Sequence, residues 1–151
     1  MFELIQSMRI DVENGRASAE ASVSGDHPLF ADHFPGSPLL PGSLMIELAA
    51  QLSGPLAEEF AKTRMGNERW AILGMVRDAR FLQPVFLPAM LELKAEVVRS
   101  ETSTINTSVT IEAKGERVMQ AQLVMMMIET STELAQAIEA RNNRLARWKA
   151  S

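Results

Sequence analysis

Between residues 43 and 60 almost every position is apolar: Leu44, Met45, Ile46, Leu48, Ala49, Ala50, Leu52, Leu56 and Ala57 leave little polar face on a helix. Such a helix persists in water only when other elements cover most of its sides, so the rest of the 151-residue chain must supply that cover. Gly54-Pro55 falls inside the segment and predicts a kink or an early end, because proline has no amide to donate and crowds the preceding turn.

The cover reads as strands. Residues 2–12 and 16–23 flank Asn14-Gly15, two residues that tolerate positive φ, and predict a β-hairpin with a tight turn. Residues 63–69 are polar and read as a connection. Residues 70–83, 90–100, 103–114 and 118–129 follow as four strands of an antiparallel meander, with Lys114-Gly115-Glu116 as a turn. Ser131 or Thr132, with Glu133 beside it, can cap a last helix reaching about residue 149, with Leu134, Ala135, Ile138, Leu145 and Trp148 as a partial apolar stripe. A buried helix followed by a long antiparallel sheet predicts an α+β architecture in which the sheet wraps the helix. Residues 1–130 form the body of one domain, and residues 131–151 a helical extension of it.

Composition narrows the chemistry. With no cysteine there is no disulfide, no thiolate metal site and no cysteine nucleophile, and two histidines make a multi-histidine metal site unexpected. A net charge of −4 argues against nucleic-acid binding driven by bulk electrostatics. No run of about eighteen apolar residues predicts a membrane span, and the first residues lack the pattern of a secretion signal, so a cytoplasmic protein is expected. Ten methionines against six phenylalanines, two tryptophans and no tyrosine suggest either a methionine-filled core or a pocket for shape-tolerant aliphatic groups.

Prolines at 28, 35, 38 and 41 with glycines at 36 and 42 make residues 27–42 a shaped loop. At its centre stands Asp32-His33, and on the following apolar helix Glu47 is the one ionisable residue between Ser43 and Pro55. The prolines limit the unfolded freedom of the loop, so a histidine there is positioned at small ordering cost. Burial of Glu47 disfavours its charged form and would make it a proton donor near neutral pH. Gln51, four residues on, shares its helical face and can orient the carboxyl. Pro41-Gly42 marks the helix start, where the unpaired amides of Gly42 and Ser43 can hold an oxygen that gains negative charge. A general base, a general acid and an oxyanion site together meet the needs of a β-elimination next to a thioester carbonyl.

The run His33-Phe-Pro-Gly-Ser-Pro-Leu-Leu-Pro-Gly-Ser-Leu-Met-Ile-Glu47-Leu-Ala-Ala-Gln51 resembles, without a gap, the pattern of the 3-hydroxyacyl-[acyl-carrier-protein] dehydratases of bacterial fatty acid synthesis. Further on, Arg80-Phe-Leu-Gln-Pro-Val-Phe-Leu-Pro88 is similar to that family's next strand and turn. The resemblance implies a hotdog fold, a homodimer or higher homo-oligomer, and active sites shared across the dimer with histidine from one subunit and the helix carboxylate from the other. It implies that His33 takes the C2 proton of a (3R)-3-hydroxyacyl thioester, that Glu47 protonates the leaving 3-hydroxyl to give a trans-2-enoyl product, and that Gly42 and Ser43 bind the thioester oxygen. No metal or redox cofactor is implied. The dehydratase-isomerase branch usually carries aspartate at the position of Glu47, which makes the dehydratase-only branch the closer match.

The departures point to a specialised dehydratase, in a polyene, polyketide or other secondary acyl pathway. Asp32 and Ser43 stand where the family has glycine and valine, and Asp32 can orient or charge His33. Ala89 replaces the glycine of a Pro-Gly-Asp turn, which puts the conformation of that turn in question. The family's amino-terminal Asp-Arg pair and tunnel tyrosine are missing.

An acidic acyl carrier protein would need a basic rim, for which Arg64, Arg69, Arg77, Arg80, Lys94, Arg99, Arg141, Arg144, Arg147 and Lys149 are candidates. The last four can instead complement a helix dipole. A hotdog thioesterase and a non-catalytic acyl-carrier-binding subunit are the alternative functions.

Overall fold

The computed structural model describes residues 4–66 and 68–151, so the first residues of the expected first strand lie outside it. Its elements run β1 (Ile5–Asp11), β2 (Arg16–Val23), α1 (Gly42–Met65), β3 (Arg69–Phe81), β4 (Ala89–Ser100), β5 (Thr104–Ala113), β6 (Glu116–Glu129) and α2 (Ala135–Ala150). All six strands form one antiparallel sheet in the order β1-β2-β4-β5-β6-β3, curved around α1.

Alternation along the strands produces the inner face. Ala17, Ala19, Ala21 and Val23 of β2, Leu91, Leu93 and Ala95 of β4, Ile105, Val109 and Ile111 of β5, and Met119, Ala121, Leu123, Met125 and Met127 of β6 are buried at every second position. They meet Leu44, Met45, Leu48, Ala49, Leu52, Leu56, Ala57 and Ala61 of α1. The alanine row on β2 lets the sheet come close to the helix. Among the described residues one polar pair is fully buried, where the Ser53 and Thr107 hydroxyls share a hydrogen bond of 2.8 Å between α1 and β5.

Four local expectations are corrected. First, α1 neither kinks to an end at Gly54-Pro55 nor stops at residue 60: it continues to Met65 and ends where Gly66 takes φ +68°, so most of the expected polar connection is helix or strand. Leu52, Leu56 and Ala57, all without exposure, anchor both sides of Pro55, and this packing outweighs the local proline penalty of about 3 kcal/mol.

Second, only β4, β5 and β6 form the meander; β3 crosses over and pairs with β6, which makes it an edge strand. Third, the first hairpin turns over four residues, 12–15, with Gly15 at φ +63°, and Asn14 instead donates its side-chain amide to Asp11. Lys114 and Gly115 both take positive φ and form the two-residue turn of the hairpin between β5 and β6. Fourth, Ser131 makes no side-chain cap; a short 3₁₀ turn over Thr132–Leu134 leads into α2.

α2 packs against β1 with Trp148 buried, and side-chain pairs tie it to α1. Arg141 binds the Glu58 carboxylate of α1 through both terminal nitrogens and lies 4.3 Å over the Trp70 ring. Lys149 pairs with Glu59. These two cations of the expected rim hold the extension onto the body.

Candidate active site

The loop before α1 is fixed by its own turn and by a neighbouring segment. Phe34 and Ser37 exchange backbone hydrogen bonds of 3.3 and 3.0 Å around Pro35-Gly36, with Gly36 at φ +75°, where glycine carries no Cβ penalty. The His33 amide donates to the Phe30 carbonyl and its carbonyl accepts from Leu39 at 2.7 Å. Leu40 donates to Val85 and Leu87 to Pro38, which tie the loop to the segment after β3. His33 is held by backbone on both sides while its exposed ring stacks on Phe34 at 4.7 Å. Asp32 is exposed as well and, among the described residues, makes no hydrogen bond or ion pair with His33.

Gly42 opens α1, with Pro41 as its N-cap. The Leu44 and Met45 amides are the first to find a partner, at the Pro41 carbonyl, so the amides of Gly42 and Ser43 precede the first intrahelical bond. A side chain at position 42 would meet the Phe81 ring of β3 at 3.0 Å, and glycine is what lets that ring lie against the helix start. Pro88-Ala89 forms no positive-φ turn; Ala89 opens β4 with ordinary strand backbone.

Glu47 and Gln51 come together as their spacing predicts: the Gln51 side-chain amide donates to Glu47 Oε1 at 3.0 Å. Both line a cavity of about 320 Å³ whose other walls include Trp70, Arg141, Arg144 and Trp148. The expected burial of Glu47 is not supplied by its own chain, since the residue is exposed at the mouth of this cavity. Its apolar helix neighbours turn inward and Glu47 turns away. His33 is absent from the lining, so the structure unites acid and orienting amide but leaves the histidine outside within one chain.

Of the methionines, Met8, Met45, Met119, Met125 and Met127 sit in the core, Met125 also lining this cavity, while Met75, Met90 and Met126 are exposed, so the plainer expectation holds for about half of them. Trp70 and Trp148 carry no motif signal in the sequence, where Trp148 belongs to the apolar stripe of the last helix and Arg141 and Arg144 read as rim charges. The helical spacing of Arg141, Arg144 and Trp148 was the available signal that they share one face.

A six-stranded antiparallel sheet curved around one long helix defines the hotdog class, and solved structures bear this out. The chain matches the dehydratase heterocomplex ApeI:P from Xenorhabdus doucetiae with a TM-score of 0.66 at 19% identity, covering 90% of this chain and 89% of that one. It matches smu.793 from Streptococcus mutans UA159, bound to acetyl CoA, with a TM-score of 0.66 at 16% identity over 87% and 94% of the two chains.

Residues 1–122 match the FabA-like domain model, and the chain belongs to that family. It is 34% identical over 116 residues to the 3-hydroxyacyl-[acyl-carrier-protein] dehydratase FabZ of Mannheimia succiniciproducens, covering 76% of each chain. It is 27% identical over 136 residues to the FabZ of Myxococcus xanthus, covering 90% of this chain and 88% of the relative. The matched domain ends inside β6, so α2 lies beyond it.

Proposed function

We propose that this chain is a hydro-lyase that removes water from (3R)-3-hydroxyacyl groups carried on acyl carrier protein, giving trans-2-enoyl thioesters in fatty acid or related polyene or polyketide synthesis. The observation that carries the reading is the Glu47–Gln51 hydrogen bond at the mouth of the cavity, on the same helix whose first turn presents the Gly42 and Ser43 amides.

His33 takes the C2 proton as the C2–H electron pair becomes the C2=C3 double bond. The C3–O bond breaks, and the leaving hydroxyl departs as water with the proton of Glu47. Charge that develops on the thioester oxygen meets the free amides of Gly42 and Ser43.

A homodimer completes this site. The edge strand β3 leaves Leu73, Met75, Val76 and Phe81 exposed, an apolar strand edge of the kind that seeks a partner. Placing β3 against its symmetry mate lets His33 of one subunit serve Glu47 of the other, and covers the carboxyl that its own chain leaves exposed. Among the described residues no helix is long and apolar enough to cross a membrane, and we place the protein in the cytoplasm.

The test is mass spectrometry of purified protein with 3-hydroxyacyl carrier protein substrates, run in both directions. Loss of water is expected, and His33→Ala and Glu47→Gln each lower the rate by about 10²–10⁴-fold in folded protein. Near-normal turnover by either variant refutes the assigned roles, release of free thiol makes the chain a thioesterase, and binding without turnover makes it a carrier-binding subunit.

A further inference from the structure

Among the described residues three buried side-chain polar atoms lack a hydrogen-bond partner within the protein: Gln51 Oε1, Arg144 Nε and Trp148 Nε1. All three residues line the Glu47 cavity. Such groups are rare in folded proteins and costly to leave unmade, so three around one cavity mark it as built to receive a polar group.

Their chemistry says which group. Arg144 and Trp148 stand one helical turn apart on α2 and offer two donors on one face. Trp148 is 3% exposed, so its indole N–H has no ready access to solvent. Arg141 is already neutralised by Glu58, whereas Arg144 has no carboxylate partner among the described residues. Two donors on one helix face, one of them cationic, fit an acceptor with two oxygens and negative charge. At about 320 Å³ the cavity has room for roughly ten non-hydrogen atoms at about 30 Å³ each, the share of a liquid water molecule. Exposed Glu47 of α1 and Arg141, Arg144 and Trp148 of α2 all border it.

We propose that this cavity holds the distal part of a short acyl chain that ends in a carboxylate, and that Arg144 is the residue that selects it. The proposal rests on the dehydratase reading for the direction of the chain, with C3 at Glu47 and the far end at α2. The carboxylate accepts from Arg144 and Trp148, while Gln51 Oε1, beside Glu47, accepts from the 3-hydroxyl. The extension beyond the family domain then serves as the base of the acyl pocket and sets what may end there.

The experiment compares kcat/KM of the full-length protein for two six-carbon 3-hydroxyacyl carrier protein substrates, one ending in a carboxylate and one in a methyl group. The natural chain is expected to prefer the carboxylate by about tenfold or more, the scale of one charge-assisted hydrogen bond. Arg144→Met brings the ratio close to one, and Arg144→Lys retains part of it.

A second measurement stands apart from turnover. Adipoyl-pantetheine should shift the Trp148 indole NMR resonance saturably, and hexanoyl-pantetheine should not. A ratio near one in the natural chain, or a ratio unchanged by Arg144→Met, overturns the proposal. Absence of turnover on both substrates together with the expected indole shift defeats the dehydratase reading but keeps the site; no indole shift with either thioester overturns the site itself.

Discussion

Glu58 and Arg141 carry the attachment of α2, and a double-mutant cycle measures how much. Each side chain is only 13% exposed, and the Glu58 carboxylate accepts both Arg141 terminal nitrogens and the Ala71 amide at 3.1 Å. Arg141→Met strands a half-buried carboxylate with one amide donor. Glu58→Gln strands a guanidinium over Trp70. Breaking one side of a buried pair costs about 3–5 kcal/mol, and the residual exposure argues for the lower end, about 3 kcal/mol for each variant. For a chain of this length that corresponds to a fall in Tm of about 6–12 °C. The double variant removes both charges and should cost about as much as either single one, a coupling of about 2 kcal/mol or more. The assay is urea unfolding followed by circular dichroism, at one fixed protein concentration because the proposed dimer would gain stability by mass action. Hydrogen exchange should lose protection first in α2. Additive single effects, or losses under about 0.5 kcal/mol, would refute the claim that this pair fastens the extension.

Three further outcomes are expected. Mixing His33→Ala with Glu47→Gln protein, each inactive alone, restores about a quarter of the activity, because random assortment in a two-fold dimer gives one intact site in half of the molecules; no recovery after proven subunit exchange would place both residues in one chain. Ser53→Ala destabilises by about 1–3 kcal/mol by leaving the Thr107 hydroxyl buried and unpaired, while Ser53→Ala with Thr107→Val is closer to neutral; equal losses in urea unfolding would refute the pairing. The side-chain and backbone hydrogen bonds from Asn14 hold the exposed Asp11 carboxyl below its ordinary value of 3.8, so its stabilisation is full above that value and fades as pH falls through the lower folded one. Asp11→Ala should therefore differ from the natural chain in thermal unfolding at neutral pH and converge with it in acid; a gap that persists in acid refutes this cause.

The features legible in the sequence were those written in nearby residues. Glu47 and Gln51 are four apart on one helix, and the loop that carries His33 is shaped by its own prolines and glycines, so motif and geometry agree. Alternation gave the strands but not their order, since β3 and β4 are joined by a short loop while the sheet separates them by two strands. Pro55 is misread locally because its tolerance comes from core contacts made by Leu52 and Leu56. Arg141 looks like a surface charge because its partner Glu58 lies 83 residues away. The exposure of Glu47 was hidden for a related reason: an apolar composition tells that a helix will be covered, not which side is covered by its own sheet.

That last point links fold to site. The sheet takes the side of α1 that presents Leu44, Met45, Leu48, Ala49 and Leu52. Ile46, Glu47, Ala50 and Gln51 form the opposite stripe, exposed or half-buried, and two of its four residues are polar. A helix so apolar would not leave that stripe to solvent without a second cover: α2 supplies one, and the proposed partner subunit would supply another. Small residues at Ala50 and Gly54, both in the cavity wall, keep the space between them open. The same economy explains why α2 is fixed through Glu58 and Glu59, about one turn beyond the cavity on α1. Anchored there, the extension contributes Arg141, Arg144 and Trp148 to the pocket wall, which does not include Gly42 or Ser43 of the first turn, where the proposed reaction puts the thioester carbonyl.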